Sequence, residues 1–123
     1  MDVEEPPLVQ LVNAILLASL EKDATQIRLR PPNQVLFVIG ASAQLELAPP
    51  HELYARIIRR LSVMANLPVY QRHEAARGRI HIRVGRFQEA RWTIEVAGHG
   101  PTLAAHLEAV AAADDVPAPP YRS

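Results

Sequence analysis

Cysteine is absent from the 123-residue sequence. Its absence excludes disulfide bonds, zinc sites built on thiolates and cysteine nucleophiles, and it suits a reducing compartment. Hydrophobic residues make up 49% of the chain, which is enough for the single core of one domain of ordinary size. We therefore expect the stability of the protein to come from packing.

A long apolar run is also missing. The most apolar stretch, Leu8–Leu20, is interrupted by Gln10, Asn13 and Ser19 and is shorter than the roughly 20 residues that span a bilayer. The first residues, Met1–Glu5, are acidic where a secretory signal peptide would carry positive charge. These features predict a cytoplasmic protein that does not insert into a membrane.

The formal net charge is zero, but the charges are unevenly placed. Between His51 and Arg91, nine arginines face only three acids, Glu52, Glu74 and Glu89. Arginine can bind a carboxylate or a phosphate with two parallel hydrogen bonds, so this segment could bind an acidic partner. A GC-rich genome would produce the same arginine usage, and the composition leaves both explanations open.

Two helices are predicted in the first half of the chain. Pro6 and Pro7 suit a helix start, and the helix is expected to run to Lys22, with Asp23 as its stop. Its apolar surface is wide, since Val9, Leu17 and Leu20 lie outside the main stripe. Such a helix is either sandwiched within its own domain or used as a surface for a partner or a second copy. The stretch from His51 to Ala65 has the spacing of a second, amphipathic helix.

Alternating and continuous apolar runs predict five strands. Three of them form a meander and two form a hairpin, with the predicted bounds Ala24–Arg30, Gln34–Ile39, Ala43–Leu47, Arg79–Val84 and Glu89–Ala97. Asn66 to Arg77 has no clear period and is predicted to be an irregular connection that ends at Gly78.

The end of the chain is predicted to be a third helix followed by a tail. Leu103 to Ala113 is rich in alanine and is assigned to the helix, whereas residues 114–123 contain Pro117, Pro119 and Pro120 and are expected to be a disordered tail. The fold class is therefore α+β, a small and mostly antiparallel sheet of about five strands packed with two to three helices in a single domain of residues 1–113.

No catalytic, cofactor or metal site is predicted. The histidines, His51, His73, His81, His99 and His106, lack the close spacing of zinc ligands. No Gly-x-Ser-x-Gly nucleophile motif and no Gly-x-x-x-x-Gly-Lys-Ser/Thr phosphate-binding loop occurs in the sequence. We therefore expect no enzymatic activity and no cofactor.

The stretch from Leu8 to Val96 resembles the domain that precedes the motor in type II secretion and type IV pilus-assembly ATPases. The most specific segment is Ile57–Leu67, which reads Ile-Ile-Arg-Arg-Leu-Ser-Val-Met-Ala-Asn-Leu and is similar to the family pattern Ile-Ile-Ser-Arg-Leu-Lys-Val-Met-Ala-x-Leu. The helix that contains Leu8–Leu17 also fits, and Ala24–Arg28 stands where the family has Ala-Ser-Asp-Ile-His. The resemblance implies a degenerate copy of that domain without the ATPase.

Departures from the family bear on function. The Arg-Ile-Asp-Gly turn of the family is replaced near Val38–Ala41, and Gln71–Ile80 keeps the frame of another family segment but not its proline and acids. Arginines of this domain reach toward nucleotide in the family, and the resemblance places Arg72 and Arg79 at matching positions. It therefore implies nucleotide contact at these two residues as a hypothesis.

Two functions from different classes follow. The first is a non-catalytic interaction or regulatory module that binds a protein, either a secretion or pilus-assembly ATPase or its own copy. Its predicted interface residues are Val9, Leu17, Leu20, Arg79, His81 and Arg83. The second is a nucleotide- or nucleic-acid-binding module that uses an arginine-rich sheet face, formed by Arg79, His81 and Arg83 and joined by Arg28 and Arg30 if their strands are neighbours. A neutral chain without aromatic residues between the arginines is a poor binder of nucleic acid.

Overall fold

The described residues form a six-stranded antiparallel sheet covered by two helices. The computed structural model describes residues 6–67, 75–84 and 88–110. The elements are α1 (Pro6–Glu21), β1 (Gln26–Arg30), β2 (Gln34–Ile39), β3 (Ser42–Leu47), α2 (His51–Met64), β4 (Ala76–Val84), β5 (Gln88–Ala97), a short 3-10 helix (Gly100–Thr102) and β6 (Ala104–Ala109). The predicted α+β class is confirmed, with six strands where about five were expected.

The strand order is β3-β2-β1-β6-β5-β4. The sheet thus consists of two three-stranded antiparallel halves that join where β1 pairs with β6. At this junction Ile27 lies between Phe37 of β2 and Leu107 of β6. β3 and β4 are the two edge strands, and α2 connects them in the sequence.

Both helices end in the same way. Asp23 and Asn66, the residues that follow the last turns, have left-handed backbone angles (φ 58° and 60°), which short polar side chains tolerate. After α1, Ala24 N–H donates to Ser19 O and Asp23 N–H to Leu20 O, and the equivalent pair of bonds follows α2. This is a Schellman motif, which pairs carbonyls that would otherwise lack a partner. The predicted stop at Asp23 is confirmed.

The core lies between the helices and one face of the sheet. Its largest fully buried side chains come from every layer and include Trp92, Phe37, Leu16, Ile57 and Leu107. The opposite face, which we call the open face, alternates with these core positions and is not covered by α1 or α2. An antiparallel sheet tolerates one uncovered face when the side chains on that face are mostly polar.

Leu103 to Ala113 was predicted to be a helix, and this prediction is wrong where the structure describes the segment. Residues 104–109 form β6, with Ala105 and Leu107 buried and His106 and Glu108 exposed. Alanine favours a helix by intrinsic propensity, but β6 pairs with β1 on one side and β5 on the other. The two sets of backbone hydrogen bonds override the propensity.

The connection after α2 is shorter than expected. β4 begins at Ala76, so Ala76 and Arg77 belong to the hairpin strand rather than to an irregular segment. Gly78 lies within β4, where a Cβ atom would stand 3.0 Å from Ala65 O, and glycine therefore allows β4 to approach the end of α2. The predicted tail, residues 114–123, lies outside the described residues.

Tyr54 links α2 to the segment before β6. The residue is 4% exposed, and its hydroxyl donates a 2.8 Å hydrogen bond to Leu103 O. Burial raises the pKa of Tyr54 from 10.0 to about 12. The folded protein therefore holds the neutral, donating form over a pH range in which the unfolded chain would ionise it.

We expect Tyr54→Phe to lower the free energy of unfolding by about 1 kcal/mol at pH 7, because Leu103 O loses its donor. The pKa is raised on folding, so the unfolded state loses the proton first. The contribution of Tyr54 is thus complete below pH 10 and lost as the pH rises toward 12. Urea unfolding of both proteins at pH 7 and pH 11 should show the difference between them shrinking. A constant difference would contradict the assignment.

Candidate interaction surfaces

The outer side of α1 is the first candidate surface. Leu17 is 37% exposed, whereas Val9 and Leu20 are half-buried. Leu20 packs against the core, so it belongs to the domain interior more than to a surface. No charged residue occurs in α1 before Glu21. The structure thus places one of the three predicted residues, Leu17, clearly on the surface.

The edge strand β4 carries the predicted basic residues. Arg79, His81 and Arg83 are all exposed on the open face, as the alternation of the sequence predicted. Arg72, the other predicted nucleotide contact, lies outside the described residues. Arg79 lies opposite Thr93 of β5, and no acid opposes it in the register.

Acidic side chains interrupt the basic surface. His81 Nε2 lies 2.9 Å from Glu89 Oε1, and Arg91 Nη2 lies 3.6 Å from the same oxygen. Arg77 Nη2 lies 3.6 Å from Glu95 Oε2. These are exposed pairs and contribute little to stability, but they neutralise part of the positive field of β4.

The pKa of Glu89 is shifted by the side chains around it. The hydrogen bond with His81 and the charge of that residue, helped by Arg91 and Arg83, hold the pKa of the Glu89 carboxyl below its usual value. The carboxylate therefore stays ionised beside His81, Arg83 and Arg91. We expect its negative charge to weaken the attraction of this face for polyanions.

The predicted extension of the basic surface by Arg28 and Arg30 depended on neighbouring strands, and the strands are not neighbours. β6 and β5 lie between β1 and β4. One row of the open face crosses the whole sheet and reads Arg77, Glu95, His106, Arg28, Leu36 and Leu45. The row is basic at one end, mixed in the middle and apolar at the other end.

Shallow grooves run along the mixed part of this face. One of about 560 Å³ is lined by Arg77, Arg79, Thr93, Glu95, His106 and Glu108. Cations and acids alternate around it, so the groove has no strong preference for one sign of charge. Among residues 6–67, 75–84 and 88–110, no group of three or more histidine and acidic side chains could hold a metal ion.

The apolar end of the row was missed by the sequence analysis. The open side of β2 and β3 carries Leu36, Val38, Ala43 and Leu45, of which Leu36 is buried, Val38 is half-buried and Leu45 is 56% exposed. The signal for it was the uninterrupted apolar run from Val35 to Ile39, which makes β2 apolar on both faces.

Curated proteins similar in sequence belong to type IV pilus assembly and to type II secretion systems. Type IV pilus assembly ATPase PilB of Myxococcus xanthus is 33% identical over 103 residues, which are 81% of this chain and 18% of that protein. Type II secretion system protein E of Pseudomonas aeruginosa is 32% identical over 85 residues, 67% of this chain and 17% of that protein. This chain is a relative of the secretion and pilus-assembly ATPases. The resemblance found in the sequence is thereby confirmed.

The similarity to these ATPases covers most of this chain but only their N-terminal part. Type II secretion system ATPase E of Vibrio cholerae is matched over 85% of this chain and 22% of its own length, at 26% identity. The chain thus spans about a fifth of the curated relatives that it matches. No protein-family profile matches it.

Solved structures show the same fold within larger ATPases. The ATPase DotB of Legionella pneumophila superposes with a TM-score of 0.61 over 89% of this chain and 31% of its own, at 7% identity. DotB of Yersinia pseudotuberculosis superposes with a TM-score of 0.58 at 11% identity. Identities this low establish the fold and not the function. In the part of the chain that the structure describes, neither helix is long and apolar enough to cross a bilayer.

Proposed function

We propose that this chain is a non-catalytic, cytoplasmic interaction module that binds and regulates a type II secretion or type IV pilus-assembly ATPase. The observation that carries the proposal is the match of most of this chain to the N-terminal part of such ATPases. The 123 residues contain no phosphate-binding loop, so they supply no backbone cradle and no lysine for a bound triphosphate. A separate chain that is similar to one domain of an ATPase can bind to the surfaces that this domain contacts within the ATPase.

The outer side of α1 is the surface we assign to the ATPase. Leu17 is exposed on a helix that has no charge before Glu21, and Gln10 and Ala14 share its exposed side. An exposed leucine in uncharged surroundings loses little on dehydration and gains from apolar contact, which suits the apolar, charge-depleted core of a protein interface.

We expect Leu17→Asp to weaken binding to the ATPase by at least about thirtyfold, because the substitution places a charge in a dehydrated contact. The measurement is binding of purified chain to each secretion or pilus ATPase from the same genome, by calorimetry. Val63→Asp is the matched control, since Val63 is 43% exposed on α2 and lies outside the proposed surface.

Two results would contradict this assignment. Unchanged binding of a folded Leu17→Asp variant would remove α1 from the interface, and loss of folding would show that Leu17 belongs to the core. Binding of nucleic acid instead, weakening steeply with salt and with Arg79→Ala, would favour the arginine-face alternative. We expect ATPase binding rather than nucleic-acid binding, because the acids Glu89 and Glu95 lie beside the arginines.

A further inference from the structure

The two edges of the sheet differ in how they are protected from pairing with another chain. Natural edge strands are commonly shielded by charged side chains. β4 carries Arg77, Arg79, His81 and Arg83 on its open side. β3 has one charged residue, Glu46, and Lys22 Nζ lies 2.9 Å from its Oε1. Among the residues that the structure describes, the outer edge of β3 is therefore almost free of unbalanced charge.

An apolar patch adjoins this unshielded edge. We call Leu36, Val38, Ala43 and Leu45 the β3-edge patch; Ala43 and Leu45 are exposed, Val38 is half-buried and Leu36 is buried. Leu45 lies on the edge strand itself and is 56% exposed, the highest value among the large hydrophobic side chains of the described residues. Arg28, which borders the patch in the register, donates a 3.0 Å hydrogen bond to Gln26 Oε1, beside the patch and not across it.

We propose that two copies of this chain dimerise by pairing their β3 strands. The strands would run antiparallel about a two-fold axis normal to the sheet, which places the two open faces on the same side. The six-stranded sheets then join into one of twelve, and the two β3-edge patches meet to form one apolar surface with Leu45 of each copy near the axis.

Charge favours a second copy as the occupant. In a two-fold pair each side chain meets the same set of side chains from the other copy. Ser42, Ala43, Gln44 and Leu45 are uncharged and meet without repulsion, and Glu46 is balanced within its own chain by Lys22. The same pairing at β4 would bring arginines against arginines, and like charges on adjoining strands are destabilising.

The contact is small. A six-residue edge and a few apolar side chains bury less than the roughly 1,000 Å² expected of a stable specific complex, so the dimer should be weak and dependent on concentration. This inference concerns self-association alone and holds or fails independently of ATPase binding.

Sedimentation equilibrium of the full chain over a wide concentration range tests the proposal. We expect the average mass to rise from the 13.6 kDa of the monomer toward twice that value. Leu45→Lys should weaken dimerisation by at least about tenfold, because two added charges would meet near the axis. Val63→Lys, which alters another exposed hydrophobic residue and lies outside both proposed surfaces, should leave the dimer intact. Circular dichroism confirms that each variant is folded.

Hydrogen exchange locates the contact. Amides of Ser42–Leu47 should exchange more slowly as the concentration rises, while those of Ala76–Val84 should not change. A chain that stays monomeric at all concentrations overturns the proposal, as does protection confined to β4 or α1. Loss of ATPase binding by Leu45→Lys in a chain that is always monomeric would assign the edge to the ATPase instead.

Discussion

Replacement of Gly98 by alanine is expected to destabilise the protein by about 3 kcal/mol or more, which would lower its melting temperature by more than about 10 °C. Gly98 directly follows β5 and has a φ of +81°. A side chain there adopts a disfavoured backbone conformation at a cost of about 1–2 kcal/mol. The remainder comes from a clash with the backbone of Thr102.

The clash cannot be relieved by rotating a side chain. A Cβ atom on Gly98 would overlap Thr102 O and lie 2.7 Å from Thr102 C. Thr102 is itself fixed, since its hydroxyl donates to His99 O at 3.0 Å and its backbone N–H donates to the same oxygen at 3.1 Å. The turn that connects β5 to β6 would have to rearrange.

Gly100 supplies a matched control in the same turn. Its φ is +55°, but a Cβ atom there would have no neighbour within 4 Å. Gly100→Ala should therefore lower the free energy of unfolding by only about 1 kcal/mol, the cost of the disfavoured backbone conformation alone. Thermal and urea unfolding of both variants measure the difference. Equal effects of the two substitutions would show that the close approach of Thr102 to Gly98 does not exist in solution.

The elements that the sequence predicted correctly are those whose signals are local. α1 was bounded by Pro6 and Asp23, α2 by the spacing of its apolar residues, and β1, β2 and β3 by runs separated by turns. Caps, turns and periodicity act over a few residues, so they can be read in the sequence. Resemblance to the secretion ATPases was equally local, since it depended on short segments in the right order.

The candidate surfaces were predicted less well because they depend on which strands are neighbours. Arg79, His81 and Arg83 share a face as their spacing predicted, but Arg28 and Arg30 are separated from them by two strands. The acids that lie among the arginines, Glu89 and Glu95, come from β5, and the β3-edge patch combines residues of β2 and β3. Register between strands determines these groupings, and a single sequence does not specify it.

β6 shows most clearly that pairing with distant strands determines the secondary structure of a segment. Leu103 to Ala113 has the composition of a helix, and a helix would place Leu103 and Leu107 on one side. In β6 the burial follows a period of two instead, with Ala105 and Leu107 inside and His106 outside. β6 also joins the halves of the sheet, since it pairs with both β1 and β5. Its conformation is therefore determined by residues distant in the sequence.

We expect Leu107→Ala to destabilise the protein by about 2–5 kcal/mol, since Leu107 is 0% exposed and pairs with Ile27 and Ile94 in the centre of the sheet. His106→Ala, one position earlier on the open face, should change the free energy of unfolding by no more than about 0.5 kcal/mol. Urea unfolding followed by Trp92 fluorescence measures both.

Leu103→Ala completes the comparison. Leu103 precedes β6 and is half-buried, so truncating it should cost less than truncating Leu107. In a helix, Leu103 and Leu107 would be neighbours on one buried side. Their alanine substitutions would then lower the free energy of unfolding by similar amounts. Similar losses at these two positions, together with a large loss at His106, would therefore contradict the strand. A large loss at Leu107 alone would confirm that the sixth strand, which the composition of the segment did not predict, holds the two halves of the sheet together.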